Sequence, residues 1–262
     1  VCMDKTNRSG SDLKQKKFLL KQLIHRDFKS RYKRTFLGVL WSMLSPLCFF
    51  VTQAIVFSKL FGRGEHFLSY LIIGNIVFHY FSDATTNLMF SISANGGIIS
   101  KINVDKRLFI YSRSISCLIN FLLTMVIMFG VIAINGITFN IKFTLLIFPI
   151  VCLYFLNMGV GYILSVLFVF FKDTQYLYSV FTSILTYFSA VFYYVDAFPE
   201  RYQHLFFYNP VYCYIYYFRT IIIDNMIPSM YVHFMCVAFP IAFLLIGKAI
   251  YGLNEKKFAY YF

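Results

Sequence analysis

The stretch RDFKSRYKRTFLGVLWSMLSP, residues 26–46, runs from a cluster of cations straight into an apolar segment that carries the chain's one tryptophan, Trp41. Lys and Arg are held back on the cytoplasmic face when an apolar helix inserts, so this junction sets the direction of the first span and of all that follow. The rest of the composition suits a chain that lives in lipid. Of 262 residues, 59% are hydrophobic, 21% aromatic and only 13% charged, the balance of a polytopic membrane protein rather than a soluble domain.

A bilayer core about 30 Å thick asks for about 20 apolar residues per helix. Such segments occur at about 39–60, 67–90, 108–134, 143–171, 176–195 and 230–251, which predicts an all-α protein with six transmembrane helices. A further apolar run at 204–223 contains His204, Asn209, Pro210 and Arg219, groups that are costly or disruptive against lipid. It is expected to form short re-entrant or interfacial helices on the outer side, before the last span. The chain then divides into a basic tail with an amphipathic helix, 1–35, and a membrane domain, 36–262. The first apolar segment starts nearly forty residues in, so no cleavable signal peptide is expected.

A net charge of +13 raises the question of nucleic acid, and the placement of the cations answers it. Eleven of the 24 Lys and Arg precede residue 35, and Lys101, Lys106, Arg107, Arg113, Lys172, Lys248, Lys256 and Lys257 fall on the same side of a six-span topology. Lys59, Arg63, Lys142, Arg201 and Arg219 fall on the other. This is the asymmetry of a multi-pass protein of the cytoplasmic (inner) membrane with both termini in the cytoplasm, and it needs no nucleic-acid partner.

Between Lys14 and Lys33 the polar residues Lys17, Lys21, His25 and Lys29 recur at every fourth position, opposite Leu19, Leu20, Leu23, Ile24 and Phe28. A Lys-rich helix of this kind lies in the headgroup plane. The second span is polar toward its end, and His79, Ser82, Asp83, Thr85, Thr86 and Asn87 are expected to face a pore, a partner helix or the inner interface. Next, SISANGGIISKINVDKR at 91–107 breaks the hydrophobicity at Gly96 and Gly97 and offers a mixed apolar and basic surface, suited to docking a soluble partner. Nine tyrosines lie between Tyr187 and Phe218. Aromatic belts anchor helices at interfaces, and hydroxyl-edged rings also stack on sugars, which makes Tyr187, Phe188, Phe192, Tyr193 and Tyr194 candidate glycan-channel aromatics.

Other chemistries find no support. No GxxxxGK[ST] sequence occurs, so the chain cannot hydrolyse ATP alone and any ATPase is a separate chain. The six cysteines and five histidines have no metal-ligand spacing, and neither a catalytic residue nor a metal site is expected.

Taken in order, the motifs resemble one family. Arg26, Asp27, Arg31, Tyr32, Lys33, Thr35, Leu37, Gly38, Trp41 and Pro46 fill the places of the opening signature of ABC-2 type permeases that export polysaccharides, the O-antigen, capsule and teichoic acid transporters. NGGIISKINV, FFKD at 170–173, FPERYQHLFFYNP at 198–210 and FRTIII at 218–223 follow in that family's order. The segment Lys101–Arg107 departs from it, because many relatives carry Phe-Pro-Arg there. The resemblance implies a homodimer of six-span subunits, each over one copy of a cytoplasmic ATPase that binds the ATP and Mg, with no cofactor on this chain. It implies a coupling helix near Gly96, Gly97, Ile98, Lys101, Asp105, Lys106 and Arg107, and a lipid-linked (polyprenyl pyrophosphate) polysaccharide as cargo. The collar Arg31, Lys33 and Arg34 would draw the cargo's phosphate to the inner gate, although retention of the helix explains those cations without a substrate. The competing expectations are an ABC-2 permease for a drug or small lipid, and a membrane glycosyltransferase or polymerase.

Overall fold

A computed structural model describes residues 17–27, 29, 40–61, 66–101 and 105–261. The collar cations Arg31, Lys33 and Arg34 lie outside the described residues, as do the ends of the expected 14–33 helix. Every regular element is helical, with no strand among the described residues. In chain order they are α1 (17–27), α2 (Leu40–Phe61), α3 (Phe67–Phe90), a 3-10 turn at Ser93–Asn95 leading into α4 (Gly96–Ile99), α5 (Arg107–Ile134), α6 (Ile147–Phe170), α7 (Thr174–Phe188), α8 (Glu200–Gln203), α9 (Pro210–Ile222) and α10 (Met230–Asn254).

The short connections make successive long helices antiparallel, so the bundle has two dissimilar ends. One gathers α1, the 91–101 segment, the α6–α7 turn and the chain's last residues, and is basic. The other gathers the 135–146 connection and residues 189–229, and is aromatic. Helix α3 is the central post, packed on α2, α5, α6 and α9. Its apolar residues point in all directions, as an interior helix requires: Leu71, Ile72, Ile73, Val77 and Leu88 are all buried.

Among the described residues three segments are long and apolar enough to cross a membrane, Arg107–Ile134, Ile141–Phe170 and Met230–Phe258, while the apolar helix Pro46–Phe57 in α2 is shorter. The expected span 176–195 needs correction, because α7 has 15 residues and stops at Phe188. Ser189 and Ala190 form a turn there, with Ala190 at a φ of 48°. The chain then changes direction inside the bundle.

The small residues of the fourth apolar segment have an intramolecular use. A Cβ on Gly159 would lie 2.6 Å from the Leu244 backbone nitrogen, and one on Gly247 would lie 2.5 Å from the Gly159 carbonyl oxygen. Two bare backbones therefore meet along the α6–α10 seam, the close approach that stabilises helix pairs in lipid.

The run at 204–223 also differs from expectation. A 3-10 turn, His204–Tyr208, precedes α9, whose first turn is capped by the Asn209 side chain accepting from the Val211 N–H at 3.0 Å, with Pro210 in place to start it. Helix α9 is buried in the protein core rather than interfacial: Val211, Cys213, Tyr214, Ile215, Phe218 and Ile221 have no measurable exposure. Arg219 tolerates that depth because carbonyls surround it. Its Nε donates to the Tyr70 carbonyl at 3.3 Å, Nη1 to that of Ala190 at 3.0 Å, and Nη2 to those of Tyr70 and Val191 at 3.1 and 3.2 Å. The guanidinium lies 3.3 Å from the centre of the Tyr70 ring.

Candidate coupling site and translocation cleft

At the basic end the amphipathic pattern of α1 folds onto protein. Leu23 is buried with Leu88, Ile92, Ile99, Leu108 and Phe109, and Leu19 and Leu20 pack on the edge of the same cluster. Lys17, Lys21 and Lys29 remain exposed. The apolar stripe expected to face headgroups is thus covered at these positions by α3, α4 and α5.

The C-terminal residues of α1 make the polar half of this contact. Arg26 Nη2 donates to Asp27 Oδ1 at 2.8 Å and to Asn95 Oδ1 at 2.9 Å, and Ser112 Oγ donates to Asp27 Oδ2 at 2.8 Å. Asn95 passes the link on, its Nδ2 donating to the Ser91 carbonyl at 2.7 Å. The Arg26–Asp27 pair thereby joins α1 to the Ser93–Asn95 turn, through Arg26, and to α5, through Asp27, by charge-assisted bonds. From the other side of that turn Lys172, on the α6–α7 connection, donates to Ser93 Oγ at 2.9 Å and lies 4.5 Å from the centre of the Phe168 ring.

The expected coupling residues separate into two groups. Gly96 is buried and Ile98 half-buried, whereas Gly97 and Lys101 are exposed, and a Cβ on Gly97 would meet nothing within 4 Å. Lys106 and Arg107 instead bond to Glu255 at the end of α10, while Asp105 caps the Arg107 N–H. Asp105 Oδ1 accepts from the Arg107 N–H at 3.1 Å, Lys106 Nζ donates to the Glu255 carbonyl at 2.8 Å, and Arg107 Nη2 pairs with Glu255 Oε2 at 3.1 Å. The first group offers a surface and the second closes a latch. Asn95, Ser93, Ser112 and Lys172 were not among the expected site residues. Their signal was a small polar side chain near a helix end or, for Lys172, a cation in a short turn, each too common to single out.

Between α2, α3 and α7 a cleft of about 250 Å3 opens, walled by Phe49, Phe50, Ile72, Ile76 and Phe192 and carrying Gln53, Asn75, His79, Ser82 and Thr186. Gln53 Oε1 is buried there without a hydrogen bond among the described residues, a polar atom held available in an apolar wall. Of the polar run in the second span, His79 and Ser82 line this cleft. Thr85 is buried and accepts from Tyr178 Oη at 2.6 Å, which ties α7 to α3. Asn87 Nδ2 donates to Asp83 Oδ1 at 2.9 Å.

The five candidate glycan aromatics do not form one wall. Phe192 lines the cleft and stacks on Phe57, their centres 5.1 Å apart. Tyr187 and Phe188 are exposed at 63% and 64%. Tyr193 Oη donates to the Tyr187 carbonyl at 2.6 Å, and Tyr194 packs on Tyr70 with centres 4.3 Å apart. Among the described residues no group of three or more His, Cys, Asp or Glu is placed to hold a metal ion.

Residues 19–223 match the family described as ABC-2 type transporter. The chain is 26% identical over 245 residues to the O-antigen export system permease protein RfbA of Klebsiella pneumoniae, covering 92% of this chain and 93% of that protein. It is 22% identical over 255 residues to the protein of the same name from Myxococcus xanthus, covering 95% and 96%. It is also 22% identical over 253 residues to the polysialic acid transport protein KpsM of Escherichia coli, covering 95% and 97%. The family match takes in α1, the Ser93–Asn95 turn, the α2–α3–α7 cleft and the caged Arg219, and the chain belongs to the ABC-2 type transporter family.

Proposed function

We propose that the chain is the permease subunit of an ATP-driven exporter that moves a lipid-linked polysaccharide across the cytoplasmic membrane. Its relatives named for O-antigen export and polysialic acid transport align over nearly their whole length, and this is the observation that carries the proposal. Two copies form the path, each with six spans and both termini in the cytoplasm. A separate ATPase docks beneath each copy on Gly97, Lys101 and the exposed cations of the basic end. Hydrolysis moves the Ser93–Ile99 segment. Asp27 and Asn95 carry that displacement to α1 and α5, and Lys172 carries it to α7.

The α2–α3–α7 cleft supplies one wall of the path. Its apolar rings offer faces to sugars, and Gln53, Asn75, His79 and Ser82 offer hydrogen-bond partners at membrane depth. The collar Arg31, Lys33 and Arg34 attracts the pyrophosphate of the cargo before entry. Deletion of the chain tests the whole proposal: a lipid-linked glycan is expected to accumulate on the cytoplasmic side and disappear from the surface. Unchanged surface glycan would overturn it. Affinity purification of the tagged chain from membranes is expected to bring down a Walker-motif ATPase in equal amount.

A further inference from the structure

Beside the caged Arg219, at the aromatic end, lies a cavity of about 180 Å3. It is separate from the cleft and has no part in the coupling network. His66, Tyr194, Asp196, Tyr212, Arg219 and Asp224 line it. We infer that this cavity is a carbohydrate subsite, taking a single neutral sugar ring of the glycan as it leaves the protein. The inference rests on the proposed export of a polysaccharide and adds a binding site outside the translocation cleft.

Charge and hydrogen-bonding capacity select the ligand. A guanidinium has five N–H donors, and the Tyr70, Ala190 and Val191 carbonyls take four of Arg219's. The fifth, on Nη1, has no carbonyl acceptor among the described residues, and Arg219 is one of the residues lining the cavity. His66 Nδ1 is buried with no hydrogen-bond partner among the described residues. Asp196 and Asp224 form no salt bridge among the described residues, and burial followed by the neighbouring Asp196 raises the Asp224 carboxyl above its usual range. Both carboxylates line the same cavity, and together they disfavour an anion. The fixed cation at the base disfavours another cation. A polyhydroxyl ring satisfies both kinds of group, because its O–H groups donate to carboxylates while its oxygens accept from Arg219 and His66. Half-buried Tyr194 and buried Tyr212 add aromatic edges to the cavity wall. Pockets for drug-sized ligands run to roughly 300–1,000 Å3, so a cavity of this size holds one ring and not an oligosaccharide.

Site-directed thiol labelling tests the assignment. Asp224→Cys and, separately, Asp196→Cys are made in the full chain and exposed to a membrane-impermeant maleimide in spheroplasts that either synthesise the glycan or lack its first glycosyltransferase. Glu200→Cys, exposed at the same end but outside the cavity, is the control, and the labelling of the parent chain is subtracted. Labelling at 224 and 196 is expected to slow severalfold only when the glycan is made, with 200 unchanged. Equal slowing at all three positions would mean general occlusion and overturn the subsite. Unchanged labelling in both strains would overturn it too, as would protection by added Ca2+ in the glycan-free strain, which would assign the carboxylates to a cation. The deletion strain keeps the two proposals apart: loss of surface glycan with no protection at 224 or 196 leaves export standing and removes only the subsite. Asp196→Asn with Asp224→Asn, which keeps shape but turns one acceptor oxygen of each carboxylate into an amide donor, is expected to reduce surface glycan severalfold at normal membrane levels of the protein. Full export from that variant would count against the subsite.

Discussion

The two ends of the bundle are held together by different physics. At the aromatic end the contacts are rings and carbonyls: Tyr193, Phe198 and Phe206 meet within 6.3 Å of one another, Phe207 lies 5.2 Å from Tyr216, and Arg219 is held by three backbone oxygens. At the basic end the ties between elements are side-chain pairs, Arg26 with Asp27 and Asn95, Lys172 with Ser93 and Arg107 with Glu255, and several remain open to water. Ring packing and buried carbonyl cages resist small displacements because interiors are close-packed. Exposed polar ties break and re-form at little cost. The contrast suits a subunit whose basic end receives a displacement and whose far end keeps its shape.

The aromatic end gives the largest expected effect. Arg219→Ala empties the cage and leaves buried carbonyls short of donors, and the loss should reach about 3 kcal/mol or more. A Lys at that position cannot replace four bonds made from a planar fork, so Arg219→Lys is expected to rescue little. Thermal unfolding of the detergent-purified protein reads both variants. Gly74→Ala attacks the same cage without removing the charge. Its Cβ would lie 2.6 Å from Arg219 Nη2 and 3.2 Å from the Val191 oxygen, and the pinned guanidinium can yield only by giving up bonds. Its melting temperature should fall less than that of Arg219→Ala but clearly. If both variants melt like the parent, the aromatic end is not held by the cage.

Asp27 is the corresponding test at the basic end. Asp27→Ala removes the acceptor shared by Arg26 and Ser112, at about 1–3 kcal/mol. The cost falls on the docking of α1 and not on the bundle as a whole. Limited trypsin digestion should therefore release the segment before residue 40 faster, while the membrane core stays protected. Glycan export and stimulation of the partner ATPase should drop together. Asp27→Asn keeps an acceptor for Ser112 and is expected to fall between. Core destabilisation as large as that of Arg219→Ala would erase the difference between the two ends.

The sequence revealed this division unevenly. Long apolar periods made the helices legible, and the bounds expected at 67–90 and 108–134 are those of helices α3 and α5 to within a residue. The end of α7 was hidden, because Ser189 and Ala190 followed by aromatics look like continuing helix and only tertiary contacts force the turn. Arg219 was legible as a cost in lipid, but the cage that offsets it draws on Tyr70, Ala190 and Val191, far away in sequence. The Arg-Asp pair stood out as part of a signature while its partners did not, since Asn95 and Ser112 acquire meaning only when α1 folds back. Lys106 and Arg107 were legible as cations at a loop, but their pairing with Glu255 depends on where the end of α10 lies.

The smallest expected effect separates latch from surface. The Arg107–Glu255 pair has side chains exposed at 49% and 28%, and such pairs contribute about 0–1 kcal/mol. Arg107→Gln, Glu255→Gln and the double variant should each melt close to the parent, with a double-mutant coupling that shrinks as salt is raised. Lys101→Glu lies on the exposed side of the same loop and has no described intramolecular partner, so it should leave melting unchanged as well. The two sets are expected to part in the assembled complex. Lys101→Glu should lower ATPase stimulation and recovery of the ATPase by affinity purification, whereas the latch variants should retain the partner and alter only the salt dependence of transport. If Lys101→Glu retains full coupling while the latch variants lose the ATPase, the roles of the two halves of the loop are reversed, and the docking surface lies around Arg107 and the end of α10.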